Sequence, residues 1–161
     1  MQILPGRERS AVTSEAVFGV SESSIAQARA ALAGLPKIPW TAGLIPSFVH
    51  GFFDYLLGFG AVAAPRLFGF VDNTEARLAV QIPAVTLLGY SLFTNYRWGL
   101  FRVIPFASHL LLDLLSGVTV LALPRVLGLR RWTWLFTTLG LIEIFFALFT
   151  QRESETERQG F

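Results

Sequence analysis

The chain has no cysteine. That absence excludes disulfides, iron–sulfur clusters, thiolate metal sites and cysteine nucleophiles, and it leaves the redox compartment open. Charge is scarce too. Asp, Glu, Lys and Arg make up 15% of the 161 residues, against 53% hydrophobic residues and a mean hydropathy of +0.54. The net charge is only +2, and no stripe of Lys and Arg accompanies the pI near 9.5, so no nucleic-acid partner is expected. No phosphate loop, nucleophile elbow or dinucleotide fingerprint occurs, and Gly58-x-Gly60 lies inside an apolar run, where it reads as helix packing. Nothing in the sequence therefore points to an enzyme. No apolar core of signal-peptide type opens the chain, so no cleaved signal is expected. A single domain of this length cannot hide so much apolar surface from water, and a bilayer is the better solvent for it.

What is present is a stretch that occurs twice. Residues 45–70 and 104–129 align without a gap at an offset of 59, with ten of 26 positions identical. The identities include Pro46/Pro105, His50/His109, Asp54/Asp113, Gly58/Gly117, Pro65/Pro124, Arg66/Arg125 and Gly69/Gly128. The chain has two histidines, and they occupy equivalent places. Chance matching of apolar runs repeats Leu, Val and Ala rather than His, Asp, Gly and Pro, so a tandem duplication is the expected origin.

Four apolar spans follow from hydropathy, at 45–64, 76–94, 103–123 and 132–150. Each has about the 17–25 residues that a helix needs to cross the hydrocarbon core. Helices are required because backbone in lipid must satisfy its own hydrogen bonds. The links are short, so consecutive helices should be antiparallel neighbours. The end of span two, Leu92-Phe93-Thr94, matches the end of span four, Leu148-Phe149-Thr150, at an offset of 56. The expected fold is an all-α, four-helix membrane protein made of two parallel-repeat helical hairpins, 45–94 and 104–150. Their pseudo-twofold axis would run along the membrane normal. Pro83 should kink span two.

Outside this 45–150 core, residues 1–44 form a polar arm in which Ser23 or Ser24 could cap a short interfacial helix ending at Ala33. Trp40 fits an anchor at headgroup level. The tail, 151–161, is charged and expected to fray.

The polar residues of spans one and three are spaced by four: His50, Asp54 and Gly58, then His109, Asp113 and Gly117. Such residues share one helix face. A charged face turned to lipid is expensive, so both stripes should point into the bundle. Gly58 and Gly117 would let neighbouring backbones approach. Glu143 of span four falls at a depth between His109 and Asp113, where span two has Leu87. Several readings fit this cluster. Each Asp could accept a hydrogen bond from its own His one turn away and lock the bundle. The same groups could relay protons or ions. Two His with carboxylates could hold a metal, although the Glu-x-x-His spacing of di-iron bundles is absent. The two His could also ligate a haem from either side. No resident cofactor is expected.

The second repeated device is Pro65-Arg66 and Pro124-Arg125. The prolines should terminate their helices, and the arginines should reach headgroups and the negative end of the helix dipole.

The duplicated His-x3-Asp-x3-Gly-x6-Pro-x3-Gly pattern resembles the SPW-repeat family of small bacterial integral membrane proteins, over residues 45–150. The defining Ser-Pro-Trp tripeptide is not kept: Ala64-Pro65-Arg66 and Leu123-Pro124-Arg125 stand there instead. The resemblance implies paired membrane repeats in a bacterial cytoplasmic membrane, and no biochemical activity comes with it. The functional expectation is a non-enzymatic accessory or scaffold subunit whose partners are membrane lipids and other membrane-protein subunits. A proton or ion relay is the alternative. An even number of spans puts both termini on one side. Lys and Arg number eight on that side against five on the other, which favours cytoplasmic termini.

Overall fold

A computed structural model describes residues 19–160. The first charges of the polar arm, Arg7 to Glu15, lie outside the described residues. The helices are α1 (Glu22–Leu32), α2 (Ser47–Leu67), α3 (Thr74–Phe93), α4 (Phe106–Val126), α5 (Thr133–Phe149) and α6 (Glu155–Arg158), with a 3-10 turn at Arg130–Trp132 before α5. Among the described residues there are two isolated β-bridges and no sheet.

Four of these helices are long and apolar enough to span a bilayer. Their burial runs opposite to that of a soluble bundle. α2 buries Ser47, His50, Asp54, Gly58 and Ala61 and exposes Phe52, Leu56 and Phe59. α3 buries Ala76, Ala79, Ala84 and Ser91 and exposes Leu78, Ile82 and Val85. Along these two helices mostly small and polar groups face inward while large apolar groups face outward, a pattern that suits a lipid solvent. The chain is a multi-pass, four-helix, all-α membrane protein.

α2 packs chiefly on α3, and α4 on α5. The closest approach in the second pair is Gly117 against Gly140: a Cβ on Gly117 would stand 2.8 Å from the Gly140 carbonyl oxygen. In the first pair a Cβ on Gly58 would meet the Leu88 side chain at 2.6 Å. Gly60 has open space instead.

The two hairpins close on one another at the end where α6 lies. The strand-like step into α2 pairs with the step out of α5, through Ile45 N–H to the Phe149 carbonyl (2.9 Å) and Gln151 N–H to the Ile45 carbonyl (2.8 Å). The step into α4 pairs in the same way with the step out of α3, through Ile104 N–H to the Phe93 carbonyl (2.9 Å) and Asn95 N–H to the Ile104 carbonyl (2.8 Å). Each hairpin thus ends against the beginning of the other. At the opposite end an apolar cluster of Phe70, Leu129, Trp132, Phe136 and surrounding alanines and valines fills the bundle, with Phe70 and Trp132 rings 4.6 Å apart.

Several expectations are corrected here. Pro65 and Pro124 do not terminate their helices, which run on to Leu67 and Val126. Termination falls to the glycines. Gly69 (φ +68°) and Gly128 (φ +67°) are left-handed, and the next N–H groups, Phe70 and Leu129, donate back to the Pro65 and Pro124 carbonyls at 2.8 Å. This is a Schellman closure, in which the proline serves as carbonyl acceptor three residues before the cap. A proline this close to the C-terminus breaks one helical bond and no more. Arg125 does reach the last turn, donating to the Leu121 carbonyl at 3.0 Å, and Arg66 is exposed. α1 begins earlier than expected, because Ser21 rather than Ser23 or Ser24 accepts the capping bond. Trp40 is exposed.

The tail is not frayed. Ser154 and Glu157 form a reciprocal capping box that starts α6, and Ser154 Oγ donates to the Asn95 carbonyl at 2.6 Å. The helix then places its carboxylates on two other helix starts. Pro46 and Pro105 give α2 and α4 no side-chain cap. Glu155 accepts from Ser47 Oγ, and Glu157 Oε1 accepts from Phe106 N–H at 2.7 Å. An acid at a helix N-terminus satisfies an orphan donor and meets the positive end of the dipole.

Candidate functional site

His50 and Asp54 sit one turn apart on α2, and His109 and Asp113 sit likewise on α4. The side chains of these four residues meet between the two helices. All four side chains are buried, and one ligand atom from each lies within 4.8 Å of the others.

The bonds run mainly between helices. His50 Nε2 lies 2.9 Å from Asp113 Oδ2, and His109 Nε2 lies 3.1 Å from Asp54 Oδ2. The same-helix pairs, His50–Asp54 and His109–Asp113, are both at 3.2 Å. The two Nε2 atoms stand 3.3 Å apart. The expected lock of each His with its own Asp is therefore a partial description: the four form one quartet that ties α2 to α4.

Each ring is held from behind by a threonine of the other hairpin. His50 Nδ1 is 2.8 Å from Thr150 Oγ1, and His109 Nδ1 is 2.9 Å from Thr94 Oγ1. Both hydroxyls already donate to a carbonyl one turn back, Thr150 to Phe146 (2.6 Å) and Thr94 to Tyr90 (2.8 Å). A hydroxyl has one proton, so it can only accept from the imidazole. The hydrogen-bond network thus assigns the proton to Nδ1 on both rings, and Nε2 faces the quartet.

Each carboxylate is held by a tyrosine. Tyr90 Oη donates to Asp113 Oδ1 at 2.6 Å, and Tyr96 Oη donates to Asp54 Oδ2 at 3.1 Å. Burial and the Asp54 charge hold the Tyr96 phenol well above its ordinary range, so it remains a donor. Aromatic rings close the quartet off. Phe106 stacks on His109 at 5.6 Å and meets His50 edge-on at 5.6 Å, and Phe146 meets His50 at 5.8 Å. Gly51 leaves room for Tyr96 and Trp98, since a Cβ there would collide with both rings.

Glu143 stands apart from the four. It is buried beside Gly117, with Ser116 as its hydrogen-bonding neighbour, and its Oε2 has no partner among the described residues. It borders a void of about 10 Å³ with Leu57, Pro83, Leu87 and Leu139, toward the apolar end. A haem between the histidines does not fit. Axial ligands must leave room for a macrocycle, and here the two Nε2 atoms stand only 3.3 Å apart with carboxylate oxygens packed at 2.9 and 3.1 Å beside them.

Sequence reasoning did not single out Thr94, Thr150, Tyr90 or Tyr96. The threonines were visible as the last residue of the Leu-Phe-Thr match. The tyrosines carry no such signal, because Tyr90 corresponds to Phe146 and Tyr96 to Arg152 in the repeat.

In comparison with protein-family models, curated proteins and solved structures, no match to this chain is found.

Proposed function

We propose that the chain is a non-enzymatic accessory or scaffold subunit of a membrane complex, of the SPW-repeat kind, in which the duplicated hairpins are joined by the His/Asp quartet. The observation that carries this reading is the enclosure of the quartet. His50 and His109 have no exposed surface, Asp54 and Asp113 retain 6% and 2%, and aromatic rings cover them. Turnover needs a route for substrate, whereas a joint between two hairpins needs none. The outward face of exposed Phe, Leu, Ile and Val offers lipids and neighbouring transmembrane helices a continuous apolar surface. The bacterial cytoplasmic membrane, with both termini on its inner side, is the location this reading entails.

Purification of the tagged chain from its own membranes in mild detergent tests the proposal. A stoichiometric membrane-protein partner, retained by a His50→Gln variant only when the bundle stays folded, is the expected result. An isolated chain that carries pH-dependent proton flux in vesicles contradicts it.

That outcome belongs to the second reading, a proton relay. One observation favours it: the two His/Asp pairs are in direct contact through the 3.3 Å Nε2–Nε2 approach. Against it stands Glu143, which no hydrogen bond among the described residues connects to the quartet.

A further inference from the structure

The quartet presents a chemical difficulty that a structural joint alone does not resolve. With Nδ1 protonated on both rings, a neutral imidazole offers a lone pair at Nε2. Those two lone pairs face one another at 3.3 Å and face carboxylate oxygens at 2.9–3.2 Å. Acceptors do not converge at such distances unless something positive lies among them. Protonating both rings supplies two charges and gives each crossed carboxylate an N–H, but it holds two like charges with their nitrogens 3.3 Å apart.

We infer that His50 Nε2, His109 Nε2, Asp54 and Asp113 form a four-coordinate site for one divalent first-row cation, with Zn²⁺ the best fit. This goes beyond the scaffold reading, which stands with or without a metal. Ligand spacing is the first argument. The Nε2–Nε2 separation is 3.3 Å and the four Nε2–carboxylate separations are 2.9, 3.1, 3.2 and 3.2 Å, with Asp54 meeting His50 through Oδ1 and His109 through Oδ2; one ligand atom from each residue lies within 4.8 Å of the others. A tetrahedral ion with bonds of about 2.0 Å has its ligands about 3.3 Å apart. The Nε2–oxygen and Nε2–Nε2 separations lie within a few tenths of an ångström of that spacing.

Charge is the second argument. A dication with two carboxylates and two neutral imidazoles sums to zero, the condition under which ionised groups are least costly inside a membrane. The outer partners are the third. Metal-bound histidines characteristically donate their remaining N–H to an oxygen, and ligating carboxylates are themselves hydrogen-bonded. Thr150 and Thr94 accept from the two rings, and Tyr90 and Tyr96 donate to the two carboxylates. All four ligands thus have a fixed orientation. Because the protein fills every coordination position, the ion has no open site for water or substrate and its role is structural. It would clamp α2 of one hairpin to α4 of the other.

The test uses the full chain purified in dodecyl maltoside. Grown with Zn²⁺, the wild type should carry one Zn²⁺ per chain by plasma mass spectrometry. After removal with a chelator it should take up one equivalent of Co²⁺ and show the intense visible absorption of a tetrahedral ion. His50→Gln together with His109→Gln should abolish both signals. Thr94→Val or Thr150→Val removes only the acceptor behind one ring and should weaken Zn²⁺ affinity about 10–100-fold at unchanged stoichiometry. The wild-type Co²⁺ spectrum decides even if the histidine variants fail to fold. Folded wild type that binds no Zn²⁺ or Co²⁺, or that gives the weak spectrum of an octahedral ion, overturns the inference. Metal content and partner retention are separate readouts, so the failure of one proposal is not mistaken for that of the other.

Discussion

The two ends of the bundle are built on different principles. The end away from α6 is held by an apolar cluster of small alanines and valines with Phe70, Leu129, Trp132, Leu135 and Phe136. The end that carries α6 is held by directed bonds: the quartet, its two threonines and two tyrosines, two clasps of extended chain, and the acidic helix α6 itself. In water the first kind of end would dominate stability. In lipid there is no hydrophobic drive between helices, so association rests on close packing and on hydrogen bonds. The apolar end spreads its contribution over many small contacts. The polar end concentrates it on few, and those few also fix which face of α2 meets which face of α4.

The largest effect should therefore come from the quartet. Asp113→Ala removes a partner from His50, His109 and Tyr90 at once. It should destabilise the bundle by about 3–5 kcal/mol, the range for stranding one member of a buried ion pair. A Val80→Ala change in the apolar cluster, read in the same detergent-unfolding assay, should cost only about 1–2 kcal/mol, the loss of two buried methylene equivalents. Equal losses would erase the contrast between the ends.

Helix contacts between the two ends come next. Gly117→Leu must displace the Gly140 backbone, whereas Gly58→Leu meets only the movable Leu88 side chain. The first should cost about 1–3 kcal/mol or more, the second less, and Gly60→Leu nearly nothing. Unfolding midpoints that do not follow that order would show that the α4–α5 contact is looser than drawn here.

Ser154→Ala is smaller in effect. It removes the capping box of α6 and the bond to the Asn95 carbonyl, and should cost about 0.5–2 kcal/mol. Hydrogen exchange should rise at Phe106 N–H, the amide that Glu157 holds, while the apolar end stays protected. The smallest effect is one of pH. Burial pushes the Glu157 carboxyl above the ordinary glutamate range, against the pull of the Phe106 and Ser154 N–H groups. The folded chain then binds this proton more tightly than the unfolded chain. The resulting stability is present at pH below the ordinary glutamate value and is lost as pH rises toward the folded one. Relative to Glu157→Gln, the wild type should lose stability slightly over that interval. A difference that grows with pH would contradict the placement.

How much of this was legible in the sequence follows from which properties are local. The four spans could be read directly, because length and hydropathy belong to one segment at a time. The inward stripe of His50, Asp54 and Gly58 could be read from its spacing, as could its counterpart on α4. The cross-pairing of His50 with Asp113 could not, because it depends on the relative rotation of two helices. Thr94 and Thr150 showed only as the end of a repeat, while Tyr90, Tyr96 and Gly140 have no identical residue at the equivalent position and so were invisible to a match by identity. The prolines misled because their proximity to the helix end was read as the end itself, when Gly69 and Gly128 perform the closure. The tail was read as frayed because its charges suggested solvent. Its partners, Ser47 and Phe106, lie 108 and 51 residues away from the carboxylates they meet.

The central claim is that α2 and α4 are joined through crossed His/Asp bonds rather than through two separate same-helix pairs. A double-mutant cycle of His50→Gln and Asp113→Asn, read as unfolding free energy in detergent, addresses it most directly. The crossed pair should show a coupling energy of about 1 kcal/mol or more, within the range for residues in direct contact. It should be at least as large as the coupling of the same-helix pair His50→Gln and Asp54→Asn. Additive losses for the crossed pair, beside clear coupling within each helix, would contradict the account.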